Sequence, residues 1–294
     1  MFIIKFQGAL GNQMFEYAFL KKMQMEYPGC DFEAHIPNIK DFNGFELERV
    51  FNHIKLQRSR VRQVEILSHD YPDAGRCYGL MNILYKIRRI FNGPKSTHLR
   101  QDDNTFFYPQ VFNLNPLQSY YLEGVWANAK YLEGIEEILR NSFVFSENRG
   151  EKNDRYLKEI NQSNSVCIHV RRNEYVKMGL SVVSDDYYSR AVRYMLKNIE
   201  KPKFFVFSDD HEYCKELFNG MIEYTLVEGN TKENSFRDME LMSHCRHNII
   251  ANSTFSFWGA FLNENPEKIV IAPNITWGKL RCPFACEDWM IMEV

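Results

Sequence analysis

The chain has 294 residues, and its 36 Lys and Arg against 38 Asp and Glu give a formal net charge of -2 at pH 7, which excludes a strongly basic nucleic-acid-binding protein and an acidic tail protein. Hydrophobic residues make up 45% and charged residues 25% of the chain, a composition typical of a globular protein and not of a disordered one. The length suits one large domain or two domains of roughly 150 residues each.

The first predicted elements are a strand, a tight loop and a helix. Residues 2–6 form an apolar run typical of a strand, and residues 7–11 contain the two glycines of a short loop. The helix that follows is predicted by apolar residues at helical spacing: Phe15, Ala18, Phe19 and Met23.

The rest of the first half is less regular. Residues 40–115 carry scattered Gly and Pro, and the basic stretches at residues 58–62 and 86–89 are interpreted as solvated helix faces rather than as a binding patch. Residues 120–122 return to a strand pattern, and residues 129–139 to a helical one.

The second half alternates short apolar runs with helical patterns. The strand-like runs are residues 165–170, 204–207, 248–251 and 268–272. Helices are predicted between them, with Ser184 as an N-cap and a capping box formed by Ser235 and Asp238. Strands separated by helices indicate βαβ units and a parallel, doubly wound sheet.

The polar run of residues 146–154 is the best candidate for a linker. We therefore expect two α/β domains, residues 1–150 and 151–294, and treat the last residues as a candidate to pack back on the first domain. Two such halves would enclose a cleft, and open parallel sheets bind ligands at the carboxyl ends of their strands.

Cysteine usage and hydropathy bear on the compartment. The seven cysteines contain no Cys-x-x-Cys pair, which favours free thiols in a reducing compartment over a secreted disulfide scaffold. No stretch approaches the ~20 apolar residues of a membrane span, and the opening residues do not resemble a signal peptide. We expect a cytoplasmic protein with at most peripheral membrane contact and no nucleic-acid partner.

Charged residues follow the strand-like run of residues 165–170. Arg171 and Arg172 suit a diphosphate, because guanidinium groups form bidentate bonds to phosphate oxygens. Glu174 is placed to remove a proton from a hydroxyl nucleophile. The alternative is an ordinary surface Arg–Glu pair beside a core histidine, His169.

Two further segments have both a binding and a capping interpretation. Ser208, Asp209 and Asp210 close the next strand, where a carboxylate can bind guanine or ribose, or cap the following helix. Residues 252–259 precede another helix, and their hydroxyl and N–H groups suit a phosphate. Simple capping by Ser253 or Thr254 explains this segment equally well.

Cofactor and metal patterns are weak. Gly8 and Gly11, with Asp31 at a suitable distance, form half of a dinucleotide fingerprint, which an ordinary tight turn also explains. His244, Cys245 and His247, or Cys282 and Cys286, do not match zinc spacing. No Asp-x-Asp is present to hold a divalent ion on a sugar nucleotide. A metal-free phosphate site therefore fits better.

Five segments in order resemble the motifs of the bacterial α-1,2-fucosyltransferase family, glycosyltransferase family 11. They are residues 8–15, 121–126, 169–175, 205–210 and 241–260. Through its His-x-Arg-Arg segment this family is related to the α-1,6- and protein O-fucosyltransferases. The chain departs from the family pattern at Ala9, at Asn173 and Glu174 in place of Gly-Asp, and at Phe257 in place of tryptophan.

The resemblance implies a GT-B glycosyltransferase with two Rossmann-like domains facing across a cleft, the first on the acceptor side and the second binding a GDP-sugar. It implies inverting transfer of L-fucose from GDP-β-L-fucose to O2 of a terminal β-galactoside in bacterial surface polysaccharide or O-antigen synthesis. GDP-fucose is then a co-substrate, with no cofactor and no metal. The acceptor is a β-galactoside-terminated oligosaccharide or a lipid-linked glycan.

The resemblance also implies roles for single residues. Arg171 and Arg172 would hold the diphosphate, His169 would lie near the base, and Glu174 would be the catalytic base or orient Arg172. Other donor contacts would come from Ser208, Asp209, Asp210, Asn252, Ser253, Thr254, Ser256 and Phe257. In the first domain, Asn12 would face the reaction centre, Gly8 and Gly11 would allow close backbone approach, and Gln13 and Trp126 would lie on the acceptor side.

Two other functions remain open from the residues themselves. Gly8 and Gly11 leave an NAD(P)-dependent oxidoreductase as the alternative enzyme. A catalytically inactive nucleotide- or glycan-binding module is the alternative outside enzymes. Binding of GDP, GDP-fucose, NAD or NADP, followed by a turnover assay, separates the three functions.

We predict that transfer persists in excess EDTA, because the sequence offers arginines rather than a carboxylate pair to neutralise the diphosphate. The measurement is the transfer rate before and after chelation. Loss of transfer that Mg²⁺ or Mn²⁺ restores would contradict the prediction.

Overall fold

A computed structural model of the protein describes residues 1–39, 43–69, 87, 95–101, 107–180, 182–275 and 285–294. The chain divides into two compact units, Met1–Ser142 and Phe143–Val294, each with its own parallel sheet. The change of unit comes slightly earlier than the polar run of residues 146–154 predicted. Phe143 already packs against Trp258, and Phe145 stacks on Phe236, both within the second unit.

The first unit contains a four-stranded parallel sheet with the order β2-β1-β4-β3. Its strands are β1 (Phe2–Lys5), β2 (Phe32–His35), β3 (His98–Arg100) and β4 (Tyr120–Glu123). Its helices are α1 (Leu10–Glu26), α2 (Leu47–Val50), α3 (Val61–Leu67) and α4 (Glu136–Ser142), with 3-10 turns at Pro109–Asn113 and Ala129–Tyr131. The predicted first strand and first helix are confirmed.

The helix predicted over residues 129–139 is wrong as a single element. The chain forms a 3-10 turn at Ala129–Tyr131 and then α4, and between them Gly134 has a φ of 80°. A positive φ lies outside the α-helical region, so the helix cannot run through this residue.

The second unit contains a six-stranded parallel sheet with the order β10-β9-β8-β5-β6-β7. Its strands are β5 (Asn164–Val170), β6 (Pro202–Ser208), β7 (Tyr224–Leu226), β8 (His247–Ile249), β9 (Val270–Pro273) and β10 (Met290–Met292). Its helices are α5 (Glu151–Asn161), α6 (Asn173–Lys177), α7 (Asp185–Asn198), α8 (His211–Phe218), α9 (Phe236–His244) and α10 (Thr254–Phe261), with a 3-10 turn at Lys232–Asn234.

Both faces of the second sheet are covered, as its continuous apolar strands predict. On one face, side chains of β5 and β6 pack against Tyr187, Val192 and Met195 of α7. On the other face, Cys167 and Phe205 pack with Ile160 of α5 and with α9. The predicted doubly wound arrangement is therefore confirmed, and it places the polar residues at the strand ends.

The residues interpreted as a linker are tied to the second unit. Arg237 donates to the carbonyl oxygen of Ser146 at 2.8 Å, and Arg149 forms an ion pair with the buried Glu240. Helix α5 begins at Glu151, inside the predicted linker. Side-chain pairing with α9 therefore makes these residues part of the second unit.

One other prediction of local structure is corrected. Ser235 has a helical backbone conformation and its side chain accepts no capping bond, so the predicted capping box with Asp238 is absent. Met290–Met292 pairs in parallel with β9 in the second sheet, and the packing of the last residues on the first domain stays a prediction. By contrast, Ser184 caps α7 as predicted, accepting from the Tyr187 N–H at 3.2 Å.

The basic stretch of residues 58–62 does not form one helix face. Arg58 precedes α3 and forms an ion pair with Glu48 at 2.7 Å. Of residues 86–89 only Ile87 lies within the described residues. None of the helices in the described residues is long and apolar enough to cross a bilayer.

The turn between β1 and α1 generates a stability prediction. Gly8 has a φ of 71°, and a Cβ at this position would lie 2.5 Å from the side-chain Nδ2 of Asn12. Gly29 is the control, since its φ is 87° and a Cβ there would meet nothing within 4 Å. A left-handed conformation costs an L-residue about 1–2 kcal/mol.

We expect Gly29→Ala to lose about this amount of unfolding free energy and Gly8→Ala to lose more, because only the second also displaces a side chain. Urea denaturation of both variants measures the difference. Equal losses would show that the Asn12 side chain moves aside at no cost.

Candidate functional site

Parallel pairing brings two charged segments together at the carboxyl end of the second sheet. Strands β5 and β6 are neighbours, with Val170 opposite Ser208. The residues that follow are Arg171 and Arg172 on one strand and Asp209 and Asp210 on the other. Since ligands of open parallel sheets bind at this edge, the structure places the predicted donor-binding residues where the sequence expected them.

Each of the two arginines pairs with one of the two aspartates. Arg171 Nη1 lies 3.2 Å from Asp209 Oδ2, and Arg172 Nε lies 3.5 Å from Asp210 Oδ2. The Arg172 guanidinium also lies over the ring of Tyr213, 4.3 Å from its centroid. The side chains of Arg171 and Arg172 keep 26% and 36% of their surface exposed, so both cations are held in place and still reach solvent.

Glu174 orients a different arginine from the one expected. It lies in α6 and forms an ion pair with Arg171, and the structure shows no such pair with Arg172 among the described residues. Its side chain is 45% exposed. The predicted role in orienting Arg172 is therefore corrected to Arg171, and the role of Glu174 as the base stays a prediction.

His169 is buried at the end of β5, with 6% of its surface exposed. Its Nδ1 has no hydrogen-bond partner within the described residues. Burial, and then the positive charge of Arg171, lower the pKa of His169 to about 3, against a smaller opposing effect of Asp209. The imidazole is thus neutral at pH 7 and keeps one ring nitrogen for a further partner.

Asp210 and Ser208 act mainly on the local backbone. Asp210 caps α8, accepting from the Tyr213 N–H at 3.2 Å, and Ser208 Oγ accepts from the Asp210 N–H at 2.9 Å. The capping interpretation of this segment is confirmed for Asp210.

The start of α10 lies close to the arginines through Tyr175. The Tyr175 hydroxyl donates to the carbonyl oxygen of Asn252 at 3.1 Å. Ser253 caps the helix, accepting from the Phe255 N–H at 3.3 Å, so the capping interpretation holds here as well. Asn252, Ser253 and Thr254 are all buried.

Ser256 and Phe257 belong to the protein core. Both are fully buried, and the Ser256 hydroxyl donates to the carbonyl oxygens of Ala251 and Ser253, each at 3.2 Å. Phe257 packs against Trp258 and other aromatic rings. Both side chains therefore have partners within the core, and their donor contacts stay predictions.

Gln13, expected on the acceptor side, is a structural residue of the first unit. It is fully buried, donates to the carbonyl oxygens of Gly8 and Gly44, and accepts from the N–H groups of Glu46 and Leu47. These four bonds use the whole amide group. Gln13 therefore fixes the turn after β1 against the start of α2.

Trp126 is also a core residue. Its ring is fully buried and stacks on Phe19, with centroids 4.0 Å apart. Its place on the acceptor side therefore stays a prediction, and the contacts shown are those of a core side chain. Asn12 and Gly11 lie in the first turn of α1, where Asn12 is partly buried and Gly11 is buried.

The dinucleotide interpretation is not supported at its acidic residue. Asp31 precedes β2, and its carbonyl oxygen accepts from the N–H of Phe2 at the start of β1. Gly8 follows the carboxyl end of β1, and the two strands are parallel. Asp31 thus lies at the opposite edge of the sheet from the glycines and cannot bind a ribose beside them.

The described residues contain no cluster of side chains suited to a metal ion. There, no three His, Cys, Asp or Glu side chains lie close enough to hold a metal ion. Cys245 is buried and His244 is exposed, while His247 Nδ1 accepts from the Ile269 N–H at 3.1 Å. Cys282 lies outside the described residues.

Sequence reasoning missed a charged cluster at the carboxyl end of the first sheet. Glu123 Oε1 lies 3.2 Å from Lys5 Nζ and 2.9 Å from Arg100 Nη2, and its Oε2 lies 3.0 Å from His98 Nε2. Burial opposes ionisation, but the hydrogen bond from His98 and the two positive charges lower the pKa of Glu123 to about 2. The sequence feature that could have indicated this cluster is a charged residue at the end of each of two strands, Lys5 in β1 and Glu123 in β4.

Comparison with known proteins gives one family and several relatives. Residues 100–281 match the model of glycosyl transferase family 11. An α-1,2-colitosyltransferase of Escherichia coli is 29% identical over 92% of this chain and 90% of its own length. The O-antigen biosynthesis glycosyltransferase WbnK of Escherichia coli is 27% identical over 96% and 97%. A galactoside α-(1,2)-fucosyltransferase 1 of Ateles belzebuth is 27% identical over 48% of this chain and 42% of its own.

Solved structures show the same fold at low sequence identity. The NodZ α-1,6-fucosyltransferase co-crystallised with GDP matches with a TM-score of 0.53 and 14% identity, over 89% of this chain and 92% of its own. The apo form of POFUT1 matches with a TM-score of 0.50 and 12% identity, over 92% and 96%. The predicted fold class, a GT-B glycosyltransferase with two Rossmann-like α/β domains, is confirmed.

The buried His169 predicts a pH dependence of stability. Its folded pKa of about 3 lies below the value of about 6.5 in an unfolded chain. Between these values the unfolded state binds a proton that the folded state does not, so His169 lowers the unfolding free energy as pH falls. The slope is at most about 1.4 kcal/mol per pH unit.

We expect His169→Gln to lose less unfolding free energy than the wild type between about pH 6 and about pH 4. Urea denaturation at several pH values measures both slopes. His211→Gln is the control, because His211 is partly exposed. A wild-type slope in His169→Gln would contradict burial of a neutral imidazole.

For Glu174, the ion pair with Arg171 predicts a loss of donor binding as well as of transfer. We expect Glu174→Gln to weaken GDP binding about two- to fivefold, since a partly exposed ion pair contributes about 1 kcal/mol or less. Glu159→Gln is a matched control, because Glu159 is 46% exposed and pairs with Lys203. Calorimetry with GDP beside a transfer assay measures both effects. Unchanged GDP affinity with lost transfer would assign Glu174 as the base instead.

Proposed function

Because the chain belongs to glycosyl transferase family 11, we propose that it transfers L-fucose from GDP-β-L-fucose to O2 of a terminal β-galactoside, with inversion, in the synthesis of a bacterial surface polysaccharide or O-antigen. The names of the relatives support this proposal, since they include an O-antigen glycosyltransferase and a galactoside α-(1,2)-fucosyltransferase. The second unit would bind the donor, and the first unit the acceptor.

One observation carries the proposal most strongly, namely the two arginines at the carboxyl end of β5. They lie at the sheet edge where a nucleotide binds in open α/β folds. Each is held by a carboxylate and yet partly exposed. Both guanidinium groups therefore keep exposed surface that a diphosphate would contact in the proposed complex.

In the proposed reaction, the O2 hydroxyl of galactose attacks the anomeric carbon of fucose from the face opposite the phosphate. The new C–O bond forms as the bond to the β-phosphate oxygen breaks, and GDP leaves with the electron pair. The hydroxyl proton passes to a base, for which Glu174 is the candidate. Attack from the opposite face converts the β-linked donor into an α-linked product.

Negative charge grows on the β-phosphate as the bond to fucose breaks. Arg171 and Arg172 would stabilise this charge more in the transition state than in the ground state, which is what accelerates the reaction. His169, neutral and buried beside them, would offer its unpartnered ring nitrogen to the nucleotide.

Colitose is a second candidate for the transferred sugar. The observation that favours it is the α-1,2-colitosyltransferase, 29% identical over 92% of this chain. Colitose is L-fucose without the 3-hydroxyl group, so the same inverting reaction serves both sugars. A donor site for fucose therefore differs from a donor site for colitose only around C3 of the sugar.

In the deciding experiment, GDP-fucose and GDP-colitose compete as donors. The acceptors are lactose and a set of other β-galactosides. The products are identified by mass spectrometry, and their linkage and anomeric configuration by NMR. An α-1,2-fucosylated galactoside supports the proposal. A colitosylated product alone assigns the second sugar, and binding of GDP without any transfer assigns a binding module.

We predict that Arg171→Ala and Arg172→Ala each lower kcat/KM by about 10²-fold, because each removes a charge-assisted contact to the leaving diphosphate. Lys at either position should not restore full activity, since a guanidinium binds two oxygens and an ammonium acts as a point charge. Arg190→Ala is the control, because Arg190 is 37% exposed and pairs with Asp186. Near-wild-type transfer by either alanine variant would contradict the assignment.

A further inference from the structure

We propose that Asp209 is a positioning residue, which holds the arginine turn, residues 171–173, in the shape that binds phosphate, and that it does not itself contact the nucleotide. This inference rests on the proposed function for the identity of the ligand. It replaces the expectation that Asp209 binds guanine or ribose.

The contacts of Asp209 all lead to the arginine turn. Its Oδ1 accepts from the N–H of Arg172 at 2.9 Å and from the N–H of Asn173 at 3.3 Å. Its Oδ2 lies 3.2 Å from Nη1 of Arg171. Its carbonyl oxygen also accepts from the side-chain amide of Asn173. One residue thus fixes the backbone of the turn, the side chain that begins it and the side chain that ends it.

These contacts leave Asp209 poorly placed to recognise a base. A carboxylate that binds guanine presents both oxygens, side by side, to the N1–H and N2–H groups. In Asp209 only Oδ1 is committed, because it accepts from two backbone N–H groups, whereas Oδ2 is buried 3.2 Å from Arg171 Nη1 and has no hydrogen-bond partner within the described residues. Guanine binding would break contacts that hold the phosphate-binding arginines.

The neighbouring carboxylate, Asp210, has a different set of contacts. Asp210 caps α8 and pairs with Arg172 at 3.5 Å, and within the described residues it makes no hydrogen bond to the backbone of the arginine turn. The two aspartates therefore have separate structural tasks, one at a helix start and one at the turn.

The contacts of Asp209 also fit a second explanation, in which its carboxylate occupies the phosphate site. The experiment has to distinguish this explanation from a positioning role. Two backbone N–H groups and a guanidinium also suit a phosphate oxygen. Asp209 would then occupy the position of the phosphate in the absence of ligand and leave it when GDP binds. Removal of such a carboxylate would tighten GDP binding, whereas removal of a positioning residue weakens it.

The first measurement needs no ligand. Hydrogen exchange followed by mass spectrometry reports the backbone N–H groups of Arg172 and Asn173 in the full-length protein. We expect Asp209→Ala to exchange these amides at least tenfold faster, and Asp209→Asn to exchange them more slowly than Asp209→Ala, because Asn keeps one acceptor oxygen. Glu212→Gln is the control, since Glu212 is 82% exposed on α8. Wild-type exchange in Asp209→Ala would overturn the proposal.

The second measurement compares GDP with IDP, which lacks the 2-amino group of guanine, by calorimetry. If Asp209 is a positioning residue, Asp209→Ala lowers the affinities for GDP and for IDP about tenfold or more. The ratio of the two affinities then stays at the wild-type value. A ratio that falls to one in Asp209→Asn would show that Asp209 reads the base. Tighter GDP binding in Asp209→Ala would show that it occupies the phosphate position.

The two measurements fail in different ways. If the wild type binds neither nucleotide, the proposed function is wrong, and hydrogen exchange alone still decides whether Asp209 holds the turn. If Asp209→Ala does not fold, Asp209→Asn carries both comparisons. In that variant the loss of charge should lower kcat more than it raises KM, because Arg171 loses one of its two ionic partners while the turn keeps one bond.

Discussion

The parallel pairing of β5 with β6 is the constraint on which the candidate site depends. Seven consecutive residues of each strand are in register, ending with Val170 opposite Ser208. This register brings two arginines and two aspartates, far apart in sequence, to one point at the sheet edge. A shift by one residue would turn these side chains to the other face of the sheet and separate Arg171 from Asp209 and Arg172 from Asp210.

Opposite charges at this edge make a cationic site compatible with a folded, unliganded protein. Arg171 and Arg172 are each neutralised by a carboxylate, and the buried His169 stays uncharged because burial and Arg171 lower its pKa. A third positive charge beside the two guanidinium groups would add repulsion in a region of low dielectric constant. The site therefore keeps its arginines oriented without a net accumulation of charge.

The carboxyl edge of the first sheet is organised by internal polar contacts of a different kind. Gln13 fixes the turn after β1 through four hydrogen bonds. The Glu123 carboxylate contacts the side chains of Lys5, His98 and Arg100. Buried polar groups of this sort stabilise a structure only when their partners are complete. In the described residues these partners come from the protein itself, which gives this edge a defined shape before any ligand arrives.

The sequence by itself determined the alternation of strands and helices in the second unit, because apolar periodicity is a local property of the chain. It also located the arginines, since residues that follow a buried strand must lie at the sheet edge. Short elements such as β3, β7 and β10, of three residues each, carry too little periodicity to be recognised in this way.

Only the tertiary structure decided which polar and aromatic side chains remain available to a ligand. Gln13, Trp126 and Ser256 have residue types that suit binding, and each is fully buried by contacts elsewhere in its own unit. Asp209 has the chemistry of a base-binding residue, yet it is bound to a turn 37 residues earlier in the chain. Hydrogen bonding and burial depend on neighbours that are distant in sequence, so motif spacing indicates where a side chain lies, and its three-dimensional partners determine what it does.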